Sequence, residues 1–70
     1  MKVLITGSRG YVGSRLCHIL KHNKKQLEIV GIDTNFYNFN KKLENKFIKK
    51  DIRDLVYKDF KGINIVVHLA

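Results

Sequence analysis

Three glycines, Gly7, Gly10 and Gly13 in ITGSRGYVGSRL, and one acid, Asp33, are the residues whose types and spacing could do chemistry. Their spacing is G-x-x-G-x-x-G. At the start of a helix such a turn presents unpaired backbone N–H groups and the positive end of the helix dipole, which suit an anion such as a pyrophosphate. Gly7 can take the shape of the tight turn, Gly10 leaves no side chain between backbone and phosphate, and Gly13 lets helix and strand pack closely. Ser8 sits where the commoner G-x-G-x-x-G has its second glycine. No Lys-Ser or Lys-Thr follows Gly13, so the string is not a P-loop.

Asp33 ends the stretch VGID and follows Gly13 by 20 residues (33 − 13). An acid at about that distance can accept both hydroxyls of an adenosine ribose, and its charge repels a 2′-phosphate, which favours NAD over NADP. Thr34 beside it is grouped with the cofactor-binding residues. Arg9 argues the other way, because a guanidinium inside the glycine turn could pair with that phosphate. The plainer alternative for Asp33 is a turn or cap residue.

These groups need elements to hold them in place. Lys2–Thr6 (KVLIT) is a nearly continuous apolar run, as expected of a strand buried on both faces of a parallel sheet. From Tyr11 to about Asn23, Val12, Leu16, Ile19 and Leu20 fall on one stripe of an amphipathic helix, with Arg15, His18, Lys21 and His22 outward. Residues 27–32 (LEIVGI), 47–49 and 63–69 (INIVVHL) read as further strands, 54–61 as a short helix, and 34–45 as a long loop. Strands alternating with helical connections predict an α/β, Rossmann-like, doubly wound parallel sheet. The glycines then lie between the first strand and the helix, and Asp33 at the end of the second strand.

Seventy residues allow one domain, and a chain of this size buries only about 60% of the surface that it exposes unfolded. The single cysteine, Cys17, permits no internal disulfide, so a reducing, cytoplasmic setting is expected. No apolar run approaches the roughly 18 residues of a membrane span, and no signal-peptide pattern opens the chain, so no membrane association is expected. A net charge of +8 could attract nucleic acid. Eleven of the fourteen basic residues are Lys, however, scattered from Lys2 to Lys61 with no aromatic-and-arginine platform, and no nucleic-acid partner is expected. A basic nucleic-acid-binding module stays as an alternative. His18 and His22 have metal-compatible spacing but lack a Glu at position 19 and a third ligand, so no metal is expected. Cys17 reads as a small buried hydrophobe, His68 as a packed strand-end residue, and Phe36, Tyr37 and Phe39 as cover for the sheet edge or the adenine.

Four pieces in order, Thr6-Gly7-Ser8-Arg9-Gly10-Tyr11-Val12-Gly13, Asp33, Asp51-Ile52-Arg53-Asp54 and Val66-Val67-His68-Leu69-Ala70, resemble the short-chain dehydrogenase/reductase superfamily. Within it they are most similar to the extended branch of NAD-dependent sugar epimerases and dehydratases. The resemblance implies a strand order 3-2-1-4, with residues 1–70 as the N-terminal part of a dinucleotide-binding domain. It implies that Tyr11 and Val12 offer backbone N–H groups to the pyrophosphate, that Asp51 bonds the adenine amino group with Ile52 beside it, and that Leu69 and Ala70 pass under the nicotinamide-side ribose. The catalytic Tyr-x-x-x-Lys of that branch lies beyond the fourth strand, so no catalytic residue is expected within these 70. Tyr37…Lys41 and Tyr57…Lys61 both precede that strand and are decoys; Tyr57 is expected half-buried beside Phe60. The implied parent is a homodimeric oxidoreductase acting on a nucleotide sugar. A non-catalytic NAD(P)-sensing relative is the second alternative.

Overall fold

An apolar run covered on both faces has no solvent side to alternate with, and the two longest such runs become the inner strands of a parallel sheet. The computed structural model describes residues 1–23, 26–34 and 44–70. Four strands, Lys2–Thr6 (β1), Glu28–Asp33 (β2), Lys46–Lys49 (β3) and Ile65–His68 (β4), pair in the order β3-β2-β1-β4, all parallel. The predicted strand order and fold class hold. One helix, Tyr11–Asn23 (α1), carries the chain from β1 to β2. Two 3₁₀ turns, Ile52–Asp54 and Tyr57–Phe60, lie between β3 and β4.

Strand alternation divides the core into two layers. Val3, Ile5 and Ile29 point toward α1 and pack with Cys17, Leu16 and Leu20. Leu4, Val30 and Ile32 point to the other face and pack with Ile48, Leu55 and Ile63. The edges differ: β3 is only part-buried at Phe47 and Ile48, and β4 leaves Ile65 and Val66 exposed.

Several boundaries and orientations depart from expectation. The face that α1 buries is Gly13, Leu16, Cys17 and Leu20, whereas Val12 and Ile19 are exposed. The helix is rotated so that Gly13, the residue without a side chain, sits against the Gly7–Ser8 backbone. β2 runs one residue later than expected because Asp33 still pairs with Lys49, and its carbonyl accepts the Lys50 N–H at 3.0 Å. β4 is shorter, since it pairs only with β1 over Val3–Thr6. The segment 54–61 is no α-helix: Leu55 and Val56 are extended, and only the 3₁₀ turn Tyr57–Phe60 lies wholly within it. Tyr57 is 90% exposed rather than half-buried, because its short turn faces it to solvent. His68 is exposed as a residue, with its Nδ1 and Thr6 Oγ1 sharing a hydrogen bond of 2.8 Å. Cys17 is fully buried, as read. Phe36, Tyr37, Phe39 and Lys41 lie outside the described residues.

Candidate functional site

β1 ends at Thr6 and the chain reverses at Gly7, whose φ of +74° lies in the left-handed region that side chains disfavour. The Gly7 N–H donates to the Ile32 carbonyl at 2.7 Å, which pins the turn to β2. A Cβ on Gly7 would stand 3.0 Å from the Ala70 nitrogen, so the turn also touches the chain leaving β4. A Cβ on Gly13 would lie 1.9 Å from the Gly7 carbonyl oxygen. The first turn of α1 is therefore seated directly on the Gly7 peptide. Gly10 donates its N–H to the same carbonyl at 3.1 Å, and beyond that oxygen a Cβ on Gly10 would meet nothing within 4 Å. Open space thus lies beside the turn. The leading amides of α1, which include those of Tyr11 and Val12, have no acceptor within the helix, and its first turn carries no acid.

Asp33 closes the other side of the turn. Its Oδ2 accepts the backbone N–H of Arg9 at 2.8 Å, so the carboxylate at the end of β2 is fastened to the glycine turn. Gly7, Asp33, Thr34, Asp51, Ile52 and Ala70, all expected at the cofactor, line one cleft of about 340 Å³, with Ile32, Lys50 and Arg53. Gly10, Tyr11, Val12 and Gly13 belong to the helix start. Leu69 donates its N–H to Thr6 Oγ1 at 3.1 Å, outside the cleft lining.

Arg9 behaves differently from the rest. Its Nε and Nη2 donate to Glu44 Oε2 and Oε1 at 2.9 and 3.1 Å, and its guanidinium stacks 3.9 Å above the Phe47 ring centroid. Its side chain is 8% exposed and that of Glu44 is fully buried. Ser8 Oγ donates to Glu44 Oε2 at 2.8 Å. Burial pushes the Glu44 carboxyl up, but the hydrogen bonds from Arg9 and Ser8 outweigh it and hold the group below its ordinary value. Ser8 thus stands in the second-glycine position because its hydroxyl serves a buried carboxylate. Glu44 was invisible to sequence reasoning: it is a lone acid in an aperiodic Lys- and Asn-rich stretch. Burial, reinforced by the Glu44 charge, pushes the Cys17 thiol up to about 11, so it is a packed thiol and no nucleophile.

The far wall of the cleft is a solvent-facing lip. Asp51 caps the first 3₁₀ turn by accepting the Arg53 N–H at 2.8 Å, and it holds the Arg53 side chain through Nε and Nη2. Of about four lone-pair positions on a carboxylate, Arg53 fills three, which leaves room for one further donor. These bonds hold the Asp51 carboxyl down to about 2. Lys50 pairs with Asp59 at 2.9 Å, tying the end of β3 to the second 3₁₀ turn. His18 and His22 stand ring to ring on α1, centroids 4.4 Å apart. Among the described residues, no helix is long and apolar enough to cross a membrane.

A glycine turn under a helix start, a carboxylate ending β2 and a polar lip after β3 together suit an extended ligand with an anionic middle and a hydroxylated end. Similar proteins carry the same frame. An uncharacterized UDP-glucose epimerase of Bacillus subtilis (strain 168), YtcB, is 36% identical across 100% of this chain and 26% of its own length. The structure of TunA, an NAD-dependent NDP-hexosamine 5,6-dehydratase involved in tunicamycin biosynthesis, superposes with a TM-score of 0.82 at 28% identity, covering 99% of this chain and 23% of that one. UDP-glucuronic acid 4-epimerase from Bacillus cereus, solved with NAD, gives a TM-score of 0.78 at 30% identity over 99% and 27%. The chain therefore spans about a quarter of the length of these relatives. Residues 3–70, almost the whole chain, match the NAD dependent epimerase/dehydratase family, and with the glycine turn, Asp33 and the sheet order in place, the chain belongs to that family.

Proposed function

We propose that these residues form the adenosine- and pyrophosphate-holding part of an NAD-dependent enzyme that epimerises or dehydrates a nucleotide sugar. The observation that carries this reading is the convergence of the Gly7 turn, Asp33 and the Asp51 lip on one cleft at the C-terminal end of the sheet. The residues fit the dinucleotide: beside Gly10 there is open space where a Cβ would meet only one carbonyl oxygen. Tyr11 and Val12 would present backbone N–H groups to the pyrophosphate, with the bare Gly10 backbone beside it and the α1 dipole behind them. Asp33, held by the Arg9 N–H, would accept ribose hydroxyls, and Asp51 the adenine amino group. Ile52 would border the base, and Leu69 and Ala70 the second ribose. Bound NAD would supply reversible hydride acceptance, and the residues named here would bind and orient it. The nucleotide-sugar substrate is supported by the named activities of the B. subtilis and B. cereus relatives.

Asp33→Ala tests the reading. Loss of charge-assisted bonds of about 1.5–3 kcal/mol each, at tenfold per 1.4 kcal/mol, should weaken NAD binding at least about 10-fold by titration calorimetry. Unchanged affinity would remove the ribose assignment. Salt-dependent retention on DNA without saturable NAD binding would favour the nucleic-acid alternative instead.

A further inference from the structure

The knot of Ser8, Arg9 and the buried Glu44 against the part-buried Phe47 does nothing in the contacts assigned above, yet the fold makes room for it. A Cβ on Gly31, in the middle of β2, would stand 2.4 Å from Ser8 Oγ and 2.5 Å from Glu44 Cγ. Phe47 is the register partner of Gly31 on β3, so the Glu44 carboxylate occupies space left by a bare backbone and the Arg9 guanidinium lies on the neighbouring ring. Arg9 also touches the proposed ribose end: its N–H is the donor fastened to Asp33 at 2.8 Å. One residue therefore reaches Asp33 through its backbone and Glu44 through its side chain. It is the sole cation in the turn from Gly7 to Gly13.

We propose that Glu44 is a specificity-determining positioning residue: by holding the Arg9 guanidinium in a buried two-point pair against Phe47, it withholds that cation from the Asp33 end of the cleft and makes the site prefer a dinucleotide with a free 2′-hydroxyl over its 2′-phosphorylated form. The proposal rests on the dinucleotide reading of the cleft. For Arg9 to reach a 2′-phosphate it must leave Glu44 fully buried and without its cation, a state that low-dielectric surroundings penalise heavily. The two cations that line the cleft, Lys50 and Arg53, pair with Asp59 and Asp51, and neither pair is buried as the Arg9–Glu44 pair is. Discrimination then has two parts, a carboxylate that repels the phosphate and a turn cation, Arg9, that is kept from attracting it.

The test is titration calorimetry of NAD and NADP against the intact protein and three variants. Glu44→Gln keeps a hydrogen-bond acceptor for Arg9 but not the charge, and should move the NADP-to-NAD affinity ratio about tenfold toward NADP, the scale of one charge-assisted phosphate contact. Adding Arg9→Leu to Glu44→Gln should abolish that gain. General loosening of the fold would weaken both dinucleotides and leave the ratio where it was. Replacing both partners, Arg9→Leu with Glu44→Leu, fills the site with apolar groups and guards against misfolding of the single variant. This pair should bind NADP as the unmutated protein does; a tenfold fall would mean that Arg9 already reaches the phosphate, and overturns the proposal. If the unmutated protein binds NAD but Glu44→Gln, folded by circular dichroism, leaves the ratio unchanged, the role of Glu44 is overturned and the cofactor reading stands. If the unmutated protein binds neither dinucleotide, both fall.

Discussion

Arg9 and Arg53 each grip a carboxylate through Nε and Nη2, at 2.9 and 3.1 Å to Glu44 and at 3.1 and 2.8 Å to Asp51. The side chains of the first pair are 8% and 0% exposed, those of the second 86% and 30%. Chemistry and distance are shared, so the difference in what the pairs do comes from water. In the buried pair neither charge has solvent to fall back on, and the two are locked together with Ser8 and Phe47. In the exposed pair water competes for every bond, and Arg53 can release Asp51 to another donor with little penalty. A fixed buried pair and an adaptable exposed one are therefore built from the same two kinds of group.

The comparison breaks most visibly at Glu44. Glu44→Ala removes one partner of a buried ion pair, and should lower the unfolding free energy of the intact protein by about 3–5 kcal/mol in denaturant titration. Acid should act through the same group. The Glu44 carboxyl is held below its ordinary value of 4.5, so its stabilisation is complete above about pH 4.5 and disappears as pH falls through the lower, folded value. Glu44→Gln should accordingly flatten the acid limb of the stability–pH curve; an unchanged limb would show that other carboxylates govern acid unfolding. Gly13→Ala comes next. Its new Cβ would press on the Gly7 carbonyl oxygen at 1.9 Å, and overpacking of that kind should destabilise by about 1–3 kcal/mol and loosen the turn, visible as weaker NAD binding. Smallest is Asp51→Ala. Asp51, held down to about 2, stays ionised through any ordinary titration, and its loss should leave the unfolding temperature unchanged while weakening NAD modestly. A melting shift as large as that of Glu44→Ala would erase the distinction between the buried pair and the exposed one.

Much of this was readable from residue order. The KVLIT and VGID runs predicted inner strands, the glycine spacing predicted the strand-to-helix turn, and the helix span Tyr11–Asn23 came out as expected. These features depend on chain neighbours and on a strand's need for cover on both faces, which the local sequence records. The rotation of α1 was misread because apolar count favoured Val12 and Ile19, whereas steric approach favoured Gly13 and Cys17. The 3₁₀ turns were misread as one helix, since no local signal marked the extended backbone at Leu55 and Val56.

The sequence alone thus determined the sheet, the position of the glycine turn and the acid at the end of β2, because each follows from periodicity or from a residue's own backbone freedom. Only the tertiary structure decided what Arg9 does. Read by itself, that side chain argued for a 2′-phosphate; folded, it belongs to a carboxylate 35 positions away, in a space opened by a glycine in a third segment. Partnership between charges is settled by burial and distance, and neither is written in the spacing of the residues that carry them.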